Sequence, residues 1–193
     1  RVIALEEDPG IYACWNLAIA QARGQYVSNA NLDDRRDRRH LQHLVGVLES
    51  TGADVASAAV AITHALKDVT GFDGDLPRQL DQRPLETWFS GTGRTPEPRV
   101  QRDFFQWNDR GEVMQCMNFP HCMPVWRRSL HERHGAFDES RHGTYADFAL
   151  WLKAVTDGAR FVHDTTPLGL YHVDPRSHNR RHANQVAWDE IVR

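Results

Sequence analysis

The chain carries two adjacent carboxylates at the point where a predicted strand ends. Asp33 and Asp34 follow a strand-forming run at 26–30. Ligands of open α/β sheets bind beyond the carboxyl ends of the strands. Carboxylates at such an edge hold Mg²⁺ or Mn²⁺ and leave coordination positions for a diphosphate. Arg35 and Arg36 come next and are close enough to contact phosphate. The spacing therefore predicts a cation and phosphate site, and the alternative is a solvated turn with a helix cap.

A third carboxylate, Asp147, lies in the first turn of a predicted helix. Phe148, Trp151 and Val155 recur at the spacing that buries one helix face. A carboxylate beside that face, on a rigid helix, is suited to act as a general base in a pocket. The alternative is a carboxylate that only favours the helix dipole.

His172 directly follows a predicted strand at 168–171, and basic residues come after it. An imidazole at a strand end, like the acid pair, is suited to contact a metal ion or a diphosphate. The alternative is a structural histidine. Two further pairs have helical spacing but lack the acidic partner of a zinc motif, and we expect them at the surface: His40/His43 and His131/His134.

Helix and strand patterns alternate along the chain and predict an α/β fold. The predicted helices lie at 8–24, 35–52, 127–134 and 145–155, and the predicted strands at 26–30, 54–62, 161–163 and 168–171. Between 67 and 110 the periodicity fades into Gly, Pro, Asp and Arg. We expect a variable loop region there, over the site and in contact with the acceptor.

Composition fits one soluble α/β core: 193 residues, 40% hydrophobic and 25% charged. The net charge of -3 gives no general attraction to nucleic acid. No apolar stretch reaches the roughly 18 residues that a membrane span needs. Cys14, Cys116 and Cys122 lack paired spacing. This indicates free thiols in a reducing compartment and argues against zinc.

The two ends predict a piece of a longer domain. Position 1 is Arg, and residues 1–5 predict a strand that is entered partway through a domain. The last residues, 187–193, stop inside a helical pattern. A processed terminus is the alternative explanation.

Together these blocks resemble glycosyltransferase family 2, the nucleotide-sugar transferases of GT-A fold. The matching blocks keep the family's order outside 67–110: IYACWN at 11–16, ARGQY at 22–26, NANLDD at 29–34, PVWRRSL at 124–130, GAFDE at 135–139, ADFALWL at 146–152, LYH at 170–172, and Ser177. The resemblance implies a GT-A-like (Rossmann-like) mixed sheet flanked by helices, without its N-terminal nucleoside-binding half. Residues 1–193 would then form a single partial catalytic domain.

The resemblance also implies roles for individual residues. The segment 31–33 is similar to the family's DxD element, which implies Mg²⁺ or Mn²⁺ on Asp33 and Asp34, with His172 as a further contact. Asn31 replaces the first acid and implies a neutral oxygen contact. Asp147 resembles the general base of inverting members. Substrate contacts are implied for Asn31, Arg35, Arg36, Trp151 and Ser177.

The expected activity is transfer of a sugar from a nucleotide-sugar donor to an acceptor hydroxyl, with inversion and a divalent metal. The acceptor class is a saccharide, a lipid or a protein. Family members often work at the inner face of a membrane, which implies a cytoplasmic, peripheral location. Two alternatives are a metal-dependent phosphohydrolase that needs no acceptor, and a non-catalytic remnant or binding module, which the absent front half would favour.

Overall fold

The structure is a computed structural model that describes residues 2–82, 85–88, 99–100, 105–107, 113–116, 120 and 123–174. Its helices are α1 (Ile11–Gln21), α2 (His40–Thr51), α3 (Leu66–Thr70), α4 (Leu76–Gln82), α5 (Ser129–His134), α6 (Glu139–His142) and α7 (Ala146–Thr156), with a 3-10 turn at Gly143–Tyr145. Its strands are β1 (Tyr26–Ser28), β2 (Arg35–Arg36), β3 (Val55–Thr63), β4 (Glu86–Trp88), β5 (Arg99–Val100), β6 (Phe105–Trp107), β7 (Val113–Cys116), β8 (Val125–Arg127) and β9 (Phe161–His172). None of the helices in these described ranges combines the length and the hydropathy that a membrane span requires.

Strand β3 lies in the middle of a mixed sheet. The strand order is β1-β8-β3-β9-β2, while β4 also pairs with β3 and β5 also pairs with β9. Strands β3 and β9 run parallel, and the other pairs of this sheet are antiparallel. Strands β6 and β7 form a separate antiparallel pair. The mixed α/β sheet predicted from the sequence is therefore confirmed.

The two faces of the sheet are covered by different helices. Val55 of β3 and Phe161 of β9 pack in a cluster with residues of α1, α5 and α7. The next residues along these strands, Ala56 and Val162, pack with α2. Successive side chains of a strand point to opposite faces. The almost continuous apolar sequence of β3 follows from this burial on both sides.

Strand β2 corrects a prediction, because Arg35 and Arg36 were expected to open a helix. They pair instead with the antiparallel β9, and α2 begins at His40. The reason lies in Asp37, which is buried and accepts a hydrogen bond from the backbone N–H of Arg39 at 2.9 Å. This carboxylate satisfies a donor at the start of the helix, so the helix begins after Asp37 rather than before it.

Strand β9 is continuous where the sequence predicted two short strands. Its parallel register with β3 shifts on both sides of Ala59, which faces Pro167. Proline has no N–H for the ladder and is tolerated in a sheet at such an irregularity. The break in the apolar pattern between 163 and 168 therefore marks a bulge, and His172 remains the last residue of one long strand.

Residues 2–5, predicted as a strand, are irregular and exposed, and no strand of the described sheet pairs with them. An extended segment without a partner leaves its backbone groups to water.

The range 67–110, expected as a variable loop region, holds α4, β4, β5, β6 and most of α3. That this range lies over the site and contacts the acceptor stays a prediction. That residues 1–193 form a single partial catalytic domain also stays a prediction.

Candidate functional site

The acidic turn, residues 31–34, connects β1 to β2 and separates two carboxylates that are adjacent in sequence. Asp34 is only 5% exposed. Asp33 is exposed, and Leu32 at the tip of the turn is 96% exposed. The acid pair therefore consists of one desolvated and one solvated carboxylate.

The carboxylate of Asp34 joins the acidic turn to the end of β9. Asn31 Nδ2 donates a hydrogen bond to Asp34 Oδ2 at 2.9 Å, and the backbone N–H of His172 donates to Asp34 Oδ1 at 3.2 Å. The antiparallel pairing of β2 with β9 delivers His172 to this point. The structure thus brings together Asn31, Asp34 and His172, which were predicted to share one edge.

Burial raises the pKa of Asp34 to about 6. The hydrogen bonds from His172 and Asn31 act in the opposite direction, and the negative charge of Asp33 adds to the rise. Desolvation disfavours the charged form of a carboxyl group, and a nearby positive charge favours it. Asp34 is therefore a carboxylate whose charge a cationic ligand would stabilise.

Arg35 holds the acidic turn in shape. Its Nη1 donates to the backbone oxygens of Leu32 at 2.9 Å and Asp34 at 2.7 Å. One guanidinium group thereby satisfies two carbonyls of the turn. These bonds occupy Nη1 of Arg35 with backbone oxygens. The contact between Arg35 and phosphate stays a prediction.

Arg36 places a positive charge behind the turn. Its Nη2 donates to Ser28 Oγ at 2.9 Å, and that hydroxyl donates in turn to the backbone oxygen of Pro124 at 2.6 Å. Burial lowers the pKa of Arg36, and the negative charge of Asp34 raises it. Within the described ranges, the buried Nε of Arg36 has no hydrogen-bond partner, so an anionic ligand could accept from it.

His40 is a residue of this region that sequence reasoning missed. It was expected at the surface, yet it is 2% exposed. Burial and then the positive charge of Arg36 lower the pKa of His40 to about 3, which keeps the ring neutral. The spacing to the buried Leu44 and Leu48, at i+4 and i+8, was the signal that placed it on the inner face of α2. His134 is buried as well, which corrects the same expectation there.

The donor set of the turn suits a hard divalent cation. Asp33 and Asp34 offer carboxylate oxygens, the usual ligands of Mg²⁺ and Mn²⁺. Asn31 Oδ1 and His172 Nδ1 are buried and lack a hydrogen-bond partner in the part of the chain that the structure describes. Over those same residues, no group of three or more His, Cys, Asp or Glu is arranged to hold a metal. The described side chains could thus supply part of a coordination shell and phosphate oxygens the rest.

Asp147 lies in a second cluster, at the start of α7. Its Oδ1 accepts hydrogen bonds from the hydroxyl of Tyr12 and from the backbone N–H of Phe148, each at 2.8 Å. The carboxylate is half-buried and is held against α1 by a side chain from the other end of the sequence. Its role as a general base stays a prediction.

Trp151 does not lie at the surface. It is 2% exposed and packs edge-on against Trp126, Phe137 and Phe161. An indole enclosed in this way has no face left for a ligand, so this position corrects the substrate contact expected for Trp151. Ser177, also expected to contact substrate, lies outside the described residues.

Comparison with known proteins gives matches only among solved structures. No protein-family model and no curated protein matches the chain. The structure of S. aureus TarS 1-349 in complex with UDP-GlcNAc has a TM-score of 0.60 at 16% identity, covering 92% of this chain and 43% of that chain. TarS 1-349 alone gives 0.56 at 15% identity, with 87% and 42% covered. Its complex with UDP gives 0.51 at 15% identity, with 83% and 39% covered.

The chain therefore spans less than half the length of these TarS chains. At such low identity the likeness concerns the fold alone. TarS is a glycosyltransferase, and the mixed sheet flanked by helices is the GT-A-like arrangement that the sequence resemblance implied. This chain has a glycosyltransferase-like α/β fold, and membership of family 2 in particular stays a prediction.

Proposed function

We propose that the protein is a glycosyltransferase of family 2 that moves a sugar from a nucleotide-sugar donor to an acceptor hydroxyl. The observation that carries this proposal is the convergence of Asn31, Asp34 and His172 at one edge of a glycosyltransferase-like sheet. A desolvated carboxylate with the positive charge of Arg36 nearby suits a phosphorylated ligand that carries a cation.

In this proposal the acidic turn receives the diphosphate of the donor. Arg36 Nε donates to a phosphate oxygen, while Arg35 keeps the turn in the shape that the diphosphate requires. Charge-assisted hydrogen bonds from guanidinium groups are among the stronger contacts with phosphate. The TarS structures with UDP and UDP-GlcNAc support a nucleotide-sugar donor.

Asp33, Asp34 and His172 would supply part of the coordination shell of Mg²⁺ or Mn²⁺ and the phosphate oxygens of the donor the rest, with Asn31 orienting the Asp34 carboxylate. When bound, the cation supplies positive charge that stabilises the leaving nucleoside diphosphate. Asn31 keeps one oxygen of Asp34 fixed through its amide N–H. The backbone N–H of His172 fixes the other oxygen, so the carboxylate is oriented before the ligand arrives.

Asp147 is the proposed general base. It takes the proton of the acceptor hydroxyl, and the acceptor oxygen forms a bond to the anomeric carbon. The bond from that carbon to the diphosphate oxygen breaks, and its electron pair leaves with the diphosphate. Attack opposite the leaving group inverts the anomeric carbon.

We further propose a cytoplasmic location, peripheral at the inner face of a membrane, with a saccharide, lipid or protein as acceptor. The family resemblance and the unpaired spacing of the cysteines support this location. Fractionation of cells that express the protein would test it, and recovery from an extracellular fraction would contradict it.

Titration of the protein with UDP in the presence and absence of Mn²⁺ tests the donor site. We expect Asp33→Asn, an exposed change, to weaken Mn²⁺-dependent UDP binding by about 10-fold or more and to abolish metal-dependent turnover. The matched control is Asp81→Asn, an exposed carboxylate in α4, which should bind UDP as the wild type does. Equal binding by wild type and Asp33→Asn would contradict the proposed cation site.

Turnover of UDP-GlcNAc with and without a panel of saccharide, lipid and peptide acceptors tests the reaction class. A glycosyltransferase releases UDP faster when a true acceptor is present and forms a glycosylated product. Consumption of the donor at the same rate without any acceptor would instead indicate a phosphohydrolase.

A further inference from the structure

Tyr12 connects α1 to the helix that carries Asp147. It is 6% exposed, and its hydroxyl oxygen lies 2.8 Å from Asp147 Oδ1 and 2.9 Å from the backbone oxygen of Thr144. Tyr12 and Asp147 are 135 positions apart in sequence. A buried side chain from a distant helix therefore helps to orient this carboxylate, together with the backbone N–H of Phe148.

The hydroxyl of Tyr12 has one proton and two acceptors in reach. While Asp147 is charged it is the stronger acceptor, because hydrogen bonds to ionised groups exceed those between neutral groups. Once Asp147 is protonated, the same O–H can turn to the oxygen of Thr144. A buried donor left without a partner is costly, and Tyr12 has a partner in both protonation states.

The ring of Tyr12 is fixed, so this change involves the hydroxyl proton and not the side chain. Its centroid lies 5.2 Å from the ring of Trp15 and 5.6 Å from that of Phe137. Asn16, the next residue after Trp15, exchanges two hydrogen bonds with the backbone of Phe137, at 2.8 and 3.0 Å. Burial and then the negative charge of Asp147 raise the pKa of Tyr12, so its hydroxyl stays protonated.

We propose that Tyr12 is a positioning residue that orients the charged Asp147 toward the acceptor and turns to Thr144 once Asp147 has taken the proton. The proposal rests on the proposed function, in which Asp147 is the general base. Tyr12 transfers no proton itself. The acceptor O–H bond breaks, an O–H bond forms on Asp147, and the O–H bond of Tyr12 only reorients.

The variant Tyr12→Phe keeps the ring and removes the hydroxyl. With UDP-GlcNAc as donor, Mn²⁺ present and UDP release as the readout, we expect kcat to fall by about 10-fold to 100-fold, because the base loses the side-chain bond that orients it. The KM for UDP-GlcNAc should stay at the wild-type value. The matched control is Tyr26→Phe, which removes a hydroxyl that contacts Arg127 Nη1 at 3.1 Å, and its kcat should not change.

A double variant distinguishes positioning from a general structural effect. Because Tyr12 acts through the carboxylate, Tyr12→Phe should cause no further loss of kcat in an Asp147→Asn background. The same fractional loss in both backgrounds would overturn the proposal. Near-ultraviolet circular dichroism of each variant verifies that the aromatic core around Trp15 and Phe137 is retained.

The outcomes separate this inference from the proposed function. No UDP release by the wild type with any acceptor, or an undiminished rate in Asp147→Asn, would overturn the proposed function and the role of Tyr12 with it. A slow Asp147→Asn variant together with a normal Tyr12→Phe variant would overturn the role of Tyr12 alone.

Discussion

Asp34 and Asp147 each anchor a cluster of the candidate site, and they are held in different ways. Asp34 is almost fully buried and accepts from the amide of Asn31 and the backbone N–H of His172. Asp147 is half-buried, and its Oδ1 accepts from the hydroxyl of Tyr12 and from the backbone N–H of Phe148. Both carboxylates thus join segments that are remote in sequence.

The two carboxylates differ in whether a group that donates to them can also donate to a second acceptor. The N–H groups of Asn31 and His172 point at Asp34 and hold it in one orientation. The hydroxyl of Tyr12 reaches both Asp147 and the carbonyl of Thr144. A carboxylate held by fixed N–H donors suits ligand binding. A carboxylate that also accepts from a hydroxyl with a second acceptor can gain a proton without leaving that hydroxyl unpaired. The two clusters therefore favour different roles for two acids of the same type.

Asp147→Asn should have the largest effect on activity. The amide cannot accept the acceptor's proton, so we expect kcat to fall by about 10²-fold to 10⁴-fold. Mn²⁺-dependent UDP binding should be unchanged, because the proposed donor site lies at the acidic turn. Steady-state kinetics and a binding titration measure the two quantities. The matched control is Asp157→Asn at the other end of α7, and a normal kcat for Asp147→Asn would remove the contrast between the two acids.

Asp34→Asn should change the pH dependence of stability. The pKa of about 6 in the folded state lies above the ordinary value of 3.8, so the folded state binds more protons than the unfolded state between these values. Stability from this group therefore falls as pH rises through that window. Since one pKa unit is about 1.4 kcal/mol, the loss is about 3 kcal/mol by pH 7.

Urea unfolding at about pH 3, below both pKa values, and at about pH 7 measures this effect. The difference in unfolding free energy between Asp34→Asn and wild type should shift by about 3 kcal/mol in favour of the variant as pH rises. The same variant should lose Mn²⁺-dependent UDP binding. A pH-independent difference would mean that burial of Asp34 has no energetic consequence.

Sequence reasoning was sufficient where local pattern or sheet topology decides the structure. The apolar run of β3 and the spacing of Phe148, Trp151 and Val155 predicted a buried strand and a helix with one buried face. The meeting of the acidic turn with His172 followed from a general rule, since both lie at strand ends. Neither inference required knowledge of distant side-chain contacts.

Sequence reasoning failed where a distant partner decides the outcome. Trp151 was expected at the substrate, but aromatic rings from β8, β9 and the segment before α6 enclose it. The contact between Tyr12 and Asp147 crosses 135 positions, and no local period encodes it. Arg35 and Arg36 resemble a solvated helix start until β9 supplies a strand partner. Tertiary context outweighs local propensity at each of these positions.

Asn31→Ala should lower the free energy of unfolding by an intermediate amount, and it tests the hydrogen bond between Asn31 and Asp34. Removing a donor from a buried carboxylate costs about 1–3 kcal/mol and raises the pKa of Asp34 further, because the bond from Asn31 lowers it. The loss should be greater at pH 7 than at pH 5, since the charged form depends more on the donor. The matched control is Asn29→Ala, because Asn29 Oδ1 has no partner in the described ranges. Equal losses in both variants would mean that the bond to Asp34 is dispensable.

The smallest stability effect is expected from Arg35→Ala. Comparison with Arg36→Ala tests whether Arg35 stabilises the acidic turn while Arg36 binds phosphate. Arg35 is only partly buried, and the carbonyls of Leu32 and Asp34 can bond to water when it is removed, so the cost is about 1 kcal/mol. Arg36→Ala removes the guanidinium group whose Nε has no partner in the described ranges, so it should weaken UDP binding more than Arg35→Ala does. Urea unfolding and UDP titration of both variants measure this division. If Arg35→Ala weakened UDP binding as much as Arg36→Ala while stability stayed unchanged, Arg35 would be a phosphate contact. Its hydrogen bonds to the backbone would then not be needed to hold the acidic turn.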